Sequence, residues 1–239
     1  MKWIEKFYVS PHDTDINGIA RPSSVLRYLQ ETANMQLYNL GPSNESLRQR
    51  GMAFILSRVG LRMYAPLYPY DEISVQSWAC ESRLSSFFRC GRIFRNDELI
   101  ADLMSVWALL GINDKRVYRA SEEPPDFETD EMLSSDIFMR VRIPNDLELQ
   151  YINDRRICYS DVDLNKHMNN TNYPDMLCDA IPTMIGRRVS SISINFKNEA
   201  PLGEVIKIYK ANDGDIHYFR TIKENKAVSI ESALELELL

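Results

Sequence analysis

One histidine stands where acid–base chemistry could be done. The stretch Asp161-Val-Asp163-Leu-Asn165-Lys-His167-Met-Asn169-Asn170-Thr-Asn-Tyr173 sets an imidazole among carboxylates and carboxamides. An imidazole titrates near neutrality and can take or give a proton at physiological pH. The same frame occurs once before. Asp13-Thr-Asp15-Ile-Asn17-Gly-Ile19 repeats the Asp-x-Asp-apolar-Asn pattern 148 residues earlier, with Ile19 in place of His167. A scaffold present twice, with a titratable group in one copy, points to one half built for chemistry and one for binding.

A second echo supports duplication. Ala65-Pro66-Leu67 recurs as Ala200-Pro201-Leu202, 135 residues later, each triplet ending an alternating apolar stretch. The first half then holds 13 extra residues between the two landmarks. They are expected in the polar, Gly/Pro-punctuated segment Asn39–Arg48, read as a loop insertion.

The elements that must position these residues follow from apolar periodicity. A short strand over 3–10 leads into the Asp13 turn. Pro22 suits a first helical position, and Leu26, Leu29, Ala33, Leu37 and Leu40 follow at helical spacing until Gly41-Pro42. Strands are expected at 54–64, Ile73–Glu81, Ser85–Arg95 and Glu98–Ile112, with turns at Asn96-Asp97 and Asn113-Asp114. Met104–Ile112 is nearly continuous in apolar residues, as a central strand covered on both faces would be. Residues 120–148, with Glu122-Glu-Pro-Pro-Asp126, change character and read as a linker or crossover. The second half repeats the order: a strand at 155–160, the Asp-rich turn, a helix at about 171–185, then strands at 190–199, 204–211, 215–223 and 226–237. One helix followed by an antiparallel sheet, twice, is an α+β arrangement. The expected division is 1–125, a 126–148 linker, and 149–239.

The chain of 239 residues is 44% apolar with net charge −6, enough to bury a large core and unsuited to nucleic acid. Met1-Lys-Trp-Ile-Glu-Lys6 is not signal-like, and no apolar run approaches the ~20 residues of a membrane span. A cytoplasmic protein is expected. Cys80, Cys90, Cys158 and Cys178 lack zinc-site spacing and read as reduced, buried small hydrophobes. No metal or cofactor is expected.

The second motif resembles the D-x-N-x-H-x-N-N-x-x-Y signature of the acyl-acyl-carrier-protein (acyl-ACP) thioesterase family, as Asp163, Asn165, His167, Asn169, Asn170 and Tyr173. Ser105-Val-Trp107 followed by Asp114-Lys-Arg116 is similar to that family's S-x-W stretch. The resemblance spans essentially the whole chain. It implies two tandem hotdog domains, each a helix wrapped by a curved antiparallel sheet. It also implies hydrolysis of the thioester between a fatty acyl chain and the phosphopantetheine arm of acyl carrier protein, ending elongation. By position, the implied catalytic residues are Asp163, Asn165, His167 and a Glu beyond the following strand, Glu199. Many members carry a Cys after that Glu; here Ala200 stands there, so no Cys is required. The absence of a transit-type leader fits a bacterial rather than a plastid member.

The chemistry explains the set. A thiol with pKa ~8.5 leaves easily, so water suffices as nucleophile once a base takes its proton. Glu199 would activate water or attack directly. His167 would orient that water or shuttle its proton, Asn165 would hold nucleophile or thioester, and Asp163 would fix the loop and orient His167. Backbone N–H groups near Asn169 and Asn170, at a helix start, would receive the oxyanion. Asp163 and Asn165 also fit plain turn formation, as Asp15 and Asn17 do, and Glu199 also fits a solvated strand end. Tyr64 takes the place of Glu199 in the first copy; His12 and His217 receive no role.

The first half would supply the acyl pocket, with Val25, Leu29, Ala33 and Trp107 as candidates and Trp78, Phe87 and Phe88 on the facing sheet. Acyl carrier protein is acidic, so docking on a negative chain calls for a basic patch. Arg83, Arg89, Arg92 and Arg95, or Arg187-Arg188, could supply it or form an ordinary solvated face. A hotdog acyl-CoA thioesterase would share the chemistry without the protein partner. A non-catalytic acyl-binding hotdog module would bind without turnover. Two hotdogs in one chain allow a monomer as well as a homodimer.

Overall fold

Pro22 starts the long helix because it needs no N–H there and its φ is already helical. Helix α1 runs Pro22–Leu40 with Arg21 at the N-cap, and ends at Gly41, whose φ is 78°. These features come from a computed structural model that describes residues 1–123, 127–134, 137 and 140–239. Among the described residues ten strands form one sheet: β1 (Trp3–Tyr8), β2 (Met52–Met63), β3 (Glu72–Ala79), β4 (Phe87–Arg95), β5 (Glu98–Gly111), β6 (Gln150–Arg156), β7 (Arg187–Phe196), β8 (Val205–Asp213), β9 (Ile216–Lys223) and β10 (Val228–Leu238). Their order is β1-β3-β4-β5-β2-β7-β10-β9-β8-β6, with every neighbouring pair antiparallel. Each half runs inward from its first strand at the edge to its second strand at the centre. The two central strands, β2 and β7, join the halves.

The halves are related residue by residue. Arg21 N–H donates to Asp13 O as Asn169 N–H does to Asp161 O, and Asp15 pairs with Ile19 as Asp163 does with His167. Gly18 and Lys166 close these turns at φ 73° and 66°. All these pairs keep the 148-residue spacing. Further on, Ala20 N–H donates to Leu67 O as Met168 N–H does to Ala200 O, and Val9 N–H to Asp71 O as Ile157 N–H does to Glu204 O. The donors of these pairs keep the 148-residue spacing, but their acceptors stand 133 residues apart, not the 135 of the Ala-Pro-Leu echo. The β2–β7 register agrees, with Gly60 opposite Ser193 at the pseudo-two-fold axis. The echo is therefore out of register by two, and the first half holds 15 extra residues rather than 13. Pro66, not Tyr64, is the counterpart of Glu199.

Those extra residues are not a plain loop. They lengthen α1 and build a second helix, α2 (Asn44–Gln49), capped by Ser43 Oγ accepting from Ser46 N–H. The second half has instead a 3-10 turn at Asn170–Asn172 and a short helix α3 (Tyr173–Asp179), not a helix to 185. Strand β6 likewise ends at Arg156, and residues 159–161 form a 3-10 turn where a strand was expected. The Asn96-Asp97 turn has both φ values positive, as a type I′ hairpin needs.

α1 lies on one face of the first-half sheet. Leu29 packs so closely on β4 that a Cβ at Gly91 would stand 2.6 Å from its Cδ2. The opposite face carries Trp78, Cys80, Cys90 and Met104. Trp78 was expected to face α1, but the alternation of side chains along β3 turns it away. That far face is covered by the segment expected to be a linker. Trp78 Nε1 donates to Glu131 O at 2.8 Å, Ile137 and Val141 are buried, and Asn195 Nδ2 donates to Val141 O at 3.1 Å. Residues 124–126, 135–136, 138 and 139 of the expected linker region lie outside the described residues. Cys80 and Cys90 are buried as expected, whereas Cys158 is exposed. Among the described residues, no helix is long and apolar enough to cross a membrane.

Candidate active site

His167 and Glu199 are 32 residues apart, and backbone pairing closes the gap. Met168 N–H donates to Ala200 O at 2.8 Å, Leu202 N–H to Lys166 O at 3.2 Å, and His167 bridges Pro201. The motif loop is thus clamped against the segment leaving β7. This puts His167 Nε2 3.6 Å from Glu199 Oε1. The imidazole is mostly buried (16% exposed), whereas the carboxylate is 61% exposed. At 3.6 Å the two do not bond directly, and a water beside them can bond to both. His167 Nδ1 lies 3.4 Å from Met168 O. A carbonyl only accepts, so this contact favours the proton on Nδ1 and leaves the Nε2 lone pair towards Glu199.

The Asp163 carboxylate makes no bond to the His167 imidazole; the two residues meet only through the backbone, Asp163 N–H donating to His167 O at 3.3 Å. Its Oδ1 accepts Asn165 N–H at 2.8 Å and its Oδ2 accepts Asn169 Nδ2 at 3.1 Å, so the carboxylate holds the loop from both ends. Asp15 does the first of these jobs for Asn17 at 2.8 Å. Asn165 Oδ1 accepts from Arg48 of α2, a contact that local sequence does not announce. Asn169 caps the 3-10 turn by accepting from Thr171 N–H at 2.9 Å. Its own N–H is committed to Asp161 O at 2.8 Å, so it is not free for an oxyanion. Asn170 N–H has no acceptor among the described residues.

Lys223, on β9, also reaches the site without any signal in the local sequence. Its Nζ donates to Glu199 O at 2.7 Å and lies 3.2 Å from Glu204 Oε2, fixing the backbone at Glu199. Tyr173, below, is buried, packs edge-on against Phe196, and keeps its hydroxyl 3.4 Å from Ser229 Oγ. Burial, with Glu199 and Glu204 nearby, holds its hydroxyl above the ordinary tyrosine value.

All six motif and strand-end candidates (Asp163, Asn165, His167, Asn169, Asn170 and Glu199) border one cavity of about 970 Å³. It runs into the first half between α1, α2 and the sheet, past Phe54, Leu56, Phe87, Trp107 and Leu109. Trp107 is pinned there by its Nε1 donating to Ser105 Oγ at 2.9 Å. Ala33 and Trp107 line the cavity. Val25 and Leu29, expected at the pocket, are buried in the core instead, Leu29 against Gly91. Apolar and aromatic side chains make up much of the lining, the motif residues and Glu199 stand together on one part of it, and Arg89 lines it from β4, the mix of a small-molecule site. Among the described residues no group of three or more His, Cys, Asp or Glu side chains could hold a metal.

Residues 1–126 match the family model of the acyl-ACP thioesterase N-terminal domain, and residues 138–236 that of its C-terminal domain. The chain belongs to the acyl-ACP thioesterase family. It is 22% identical over 228 residues to the chloroplastic oleoyl-acyl carrier protein thioesterase 2 of Arabidopsis thaliana, covering 84% of this chain and 60% of that protein. It is 21% identical over 232 residues to the oleoyl-acyl carrier protein thioesterase of Coriandrum sativum, covering 86% and 61%. The chain thus spans about 60% of the length of these curated relatives. An acyl-ACP thioesterase from Bacteroides thetaiotaomicron VPI-5482 superposes with a TM-score of 0.86 at 20% identity, covering 99% of this chain and 98% of that one. The 12:0-ACP thioesterase of Umbellularia californica gives 0.85 at 14% identity, covering 100% and 98%. This acyl-ACP thioesterase family member is thus built of tandem hotdog domains, joined through β2 and β7.

The arginines expected to dock a partner are mostly spent. Arg92 pairs with Asp102 at 2.8 Å, Arg95 with Asp71 at 2.8 Å, Arg188 with Glu237 at 2.6 Å, and Arg187 with Asp215. Arg89 is not on the surface patch at all; it lines the cavity.

Proposed function

We propose that this protein hydrolyses the thioester of acyl-ACP and releases free fatty acid. The observation that carries this reading is the His167–Glu199 pair, 3.6 Å apart, lining a cavity of about 970 Å³ that runs past Phe54, Phe87 and Trp107. Water beside the pair adds to the thioester carbonyl carbon as its proton passes to Glu199, with His167 Nε2 holding the water by its lone pair. Asn170 N–H is the oxyanion donor within reach, since Asn169 N–H is already bonded. The tetrahedral intermediate then collapses with cleavage of the C–S bond. The departing thiolate takes up the proton held by Glu199, and the acid leaves. Asp163 and Lys223 are positioning residues that hold the loop and the strand end carrying the two reacting groups.

In this reading residues 1–125 form the acyl-binding domain, 126–148 the crossover and 149–239 the catalytic domain. The partner is acyl carrier protein, which brings the chain on its phosphopantetheine arm, and the reaction runs in the cytoplasm. Thiol release should be measured on acyl-ACP and acyl-CoA for wild type, His167→Ala and Glu199→Gln. Wild-type turnover on acyl-ACP that falls about 10²–10⁴-fold in each variant, with folding intact, supports the assignment. Faster turnover of the CoA thioester would move the substrate class. Binding of acyl chains without hydrolysis of either would overturn the reading in favour of a carrier module.

A further inference from the structure

The cavity is not apolar throughout. Arg89 projects into it from β4, on the same sheet face as Phe87 and Trp107, since Arg89 pairs with Ser105 and Phe87 with Trp107. Its Nη1 donates to Gln36 Oε1 at 2.7 Å and to Ser77 Oγ at 3.0 Å. Both partners are neutral. Among the described residues no carboxylate pairs with it, unlike Arg92 and Arg95 on the same strand. Its remaining N–H groups donate to nothing among the described residues. Arg89 is half-buried, and a cation partly withdrawn from water without a counter-charge is costly to keep; desolvation lowers its value to about 10. Core packing alone has no use for a guanidinium here. An apolar residue would fill the same space without that cost.

Arg89 also stands far from the reacting pair. Phe196 on β7 and Arg89 on β4 both line the cavity, and β2 and β5 lie between their strands. Three strand spacings of ~4.8 Å set them roughly 14 Å apart. An extended chain advances roughly 1.2 Å per bond, so about a dozen bonds span that distance. We propose that Arg89 is a tail-recognition residue, and that the cavity takes acyl chains whose far end carries a carboxylate. The inference rests on the cavity being the acyl site proposed above. A ligand carboxylate there would complete the counter-charge the protein omits and accept a charge-assisted, bidentate bond from the free edge of the guanidinium.

The test compares ω-carboxyacyl and methyl-ended acyl thioesters of equal length on acyl carrier protein, across lengths bracketing this span. Wild type, Arg89→Met and Arg89→Lys are assayed for kcat/KM. The expected result is a wild-type preference for the carboxyl-ended chain of about 10-fold or more, lost or reversed in Arg89→Met and partly kept in Arg89→Lys. A wild-type preference for the methyl-ended chain overturns the proposal without reference to any variant. So does a carboxyl preference that survives in folded Arg89→Met. Should wild type hydrolyse neither thioester, the thioesterase reading fails, and thermal stabilisation by a free long-chain diacid against the monoacid of equal length decides the tail site. Greater stabilisation by the diacid that disappears in Arg89→Met supports it; equal stabilisation overturns it.

Discussion

Asp163 belongs to the motif, yet its carboxylate makes two bonds to the loop and none to His167. This predicts a separation between two substitutions. Asp163→Ala removes both bonds, to Asn165 N–H and to Asn169 Nδ2. A hydrogen bond to a charged acceptor contributes about 1.5–3 kcal/mol, and less where solvent reaches it as here, so about 2–3 kcal/mol in total is at stake. In a chain of 239 residues that lowers Tm by roughly 4–12 °C. Activity should fall as well, because the loop carries His167. Asp163→Asn keeps an oxygen for Asn165 N–H, the bond that also shapes the first-half turn at Asp15. It should cost about 1 kcal/mol and less than 10-fold in kcat. A carboxylate that orients a catalytic histidine behaves differently: the same isosteric change there costs on the order of 10⁴ in kcat with the geometry intact. The assay is acyl-ACP hydrolysis with thermal unfolding of each variant. A loss of 10³-fold or more in Asp163→Asn at unchanged Tm would refute the loop-holding role and return the charge of Asp163 to the chemistry.

Gly91→Ala should destabilise by about 1–3 kcal/mol, because its Cβ would meet Leu29 Cδ2 at 2.6 Å and Gln76 O at 3.0 Å. Denaturant titration checks it, and truncation of Leu29 in the same chain should make the cost of the Ala smaller. Lys223→Met removes the donor to Glu199 O and the Glu204 ion pair; kcat should fall about 10-fold with KM little changed, read from initial rates. His217 is buried with neither ring nitrogen partnered among the described residues, and burial, then Lys210 and Arg187, lower its folded-state pKa below the ordinary 6.5. The unfolded chain therefore takes the proton first as pH falls. Stability should be complete above about pH 6.5 and decline below it through the folded-state value. In His217→Leu the slope of unfolding free energy between pH 7 and 5 should flatten; an unchanged slope would dismiss His217 as its source.

The helix–strand order of both halves was legible because their faces are half-buried and periodic, as Leu26, Leu29 and Ala33 on α1 illustrate. The motif was legible because Asp163, Asn165 and His167 are local in sequence. Three things were not. The true register between the halves depends on hydrogen bonds such as Ala20 to Leu67, which a recurring Ala-Pro-Leu string cannot report. The division between core and cavity depends on which helical face meets the sheet, so Leu29 and Ala33, four residues apart, part company: one meets Gly91 and the other the cavity. Arg48, Lys223 and Arg89 come from distant elements, and a lone basic residue carries no sequence signal of what it will face. In the sequence Arg89 looks like its neighbours, a solvated or docking charge, since alternation along β4 separates it from Arg92 only once the sheet exists.

The asymmetry between the halves has a structural cause beyond one histidine. In the first copy Asn17 is fully used: its Nδ2 donates to Met184 O and Arg187 O at 3.0 Å, and its Oδ1 accepts Gly186 N–H at 2.9 Å. It reaches across to the turn ahead of β7, the other half's central strand, and seals it. Asn165 makes the corresponding reach towards the segment ahead of β2. There the 15 extra residues have lengthened α1 and inserted α2, and it meets the tip of Arg48 rather than a closed turn. The insertion that prevents sealing at this position also supplies walls of the cavity, through Leu37, Pro42, Leu47 and Arg48. A histidine placed at Ile19 would therefore not make a second site. Ile19 is buried, Pro66 stands at the position that Glu199 holds in the second copy, and Asn17 ties down the turn ahead of β7. Duplication supplied the scaffold, and the insertion in one half opened the site borne by the other.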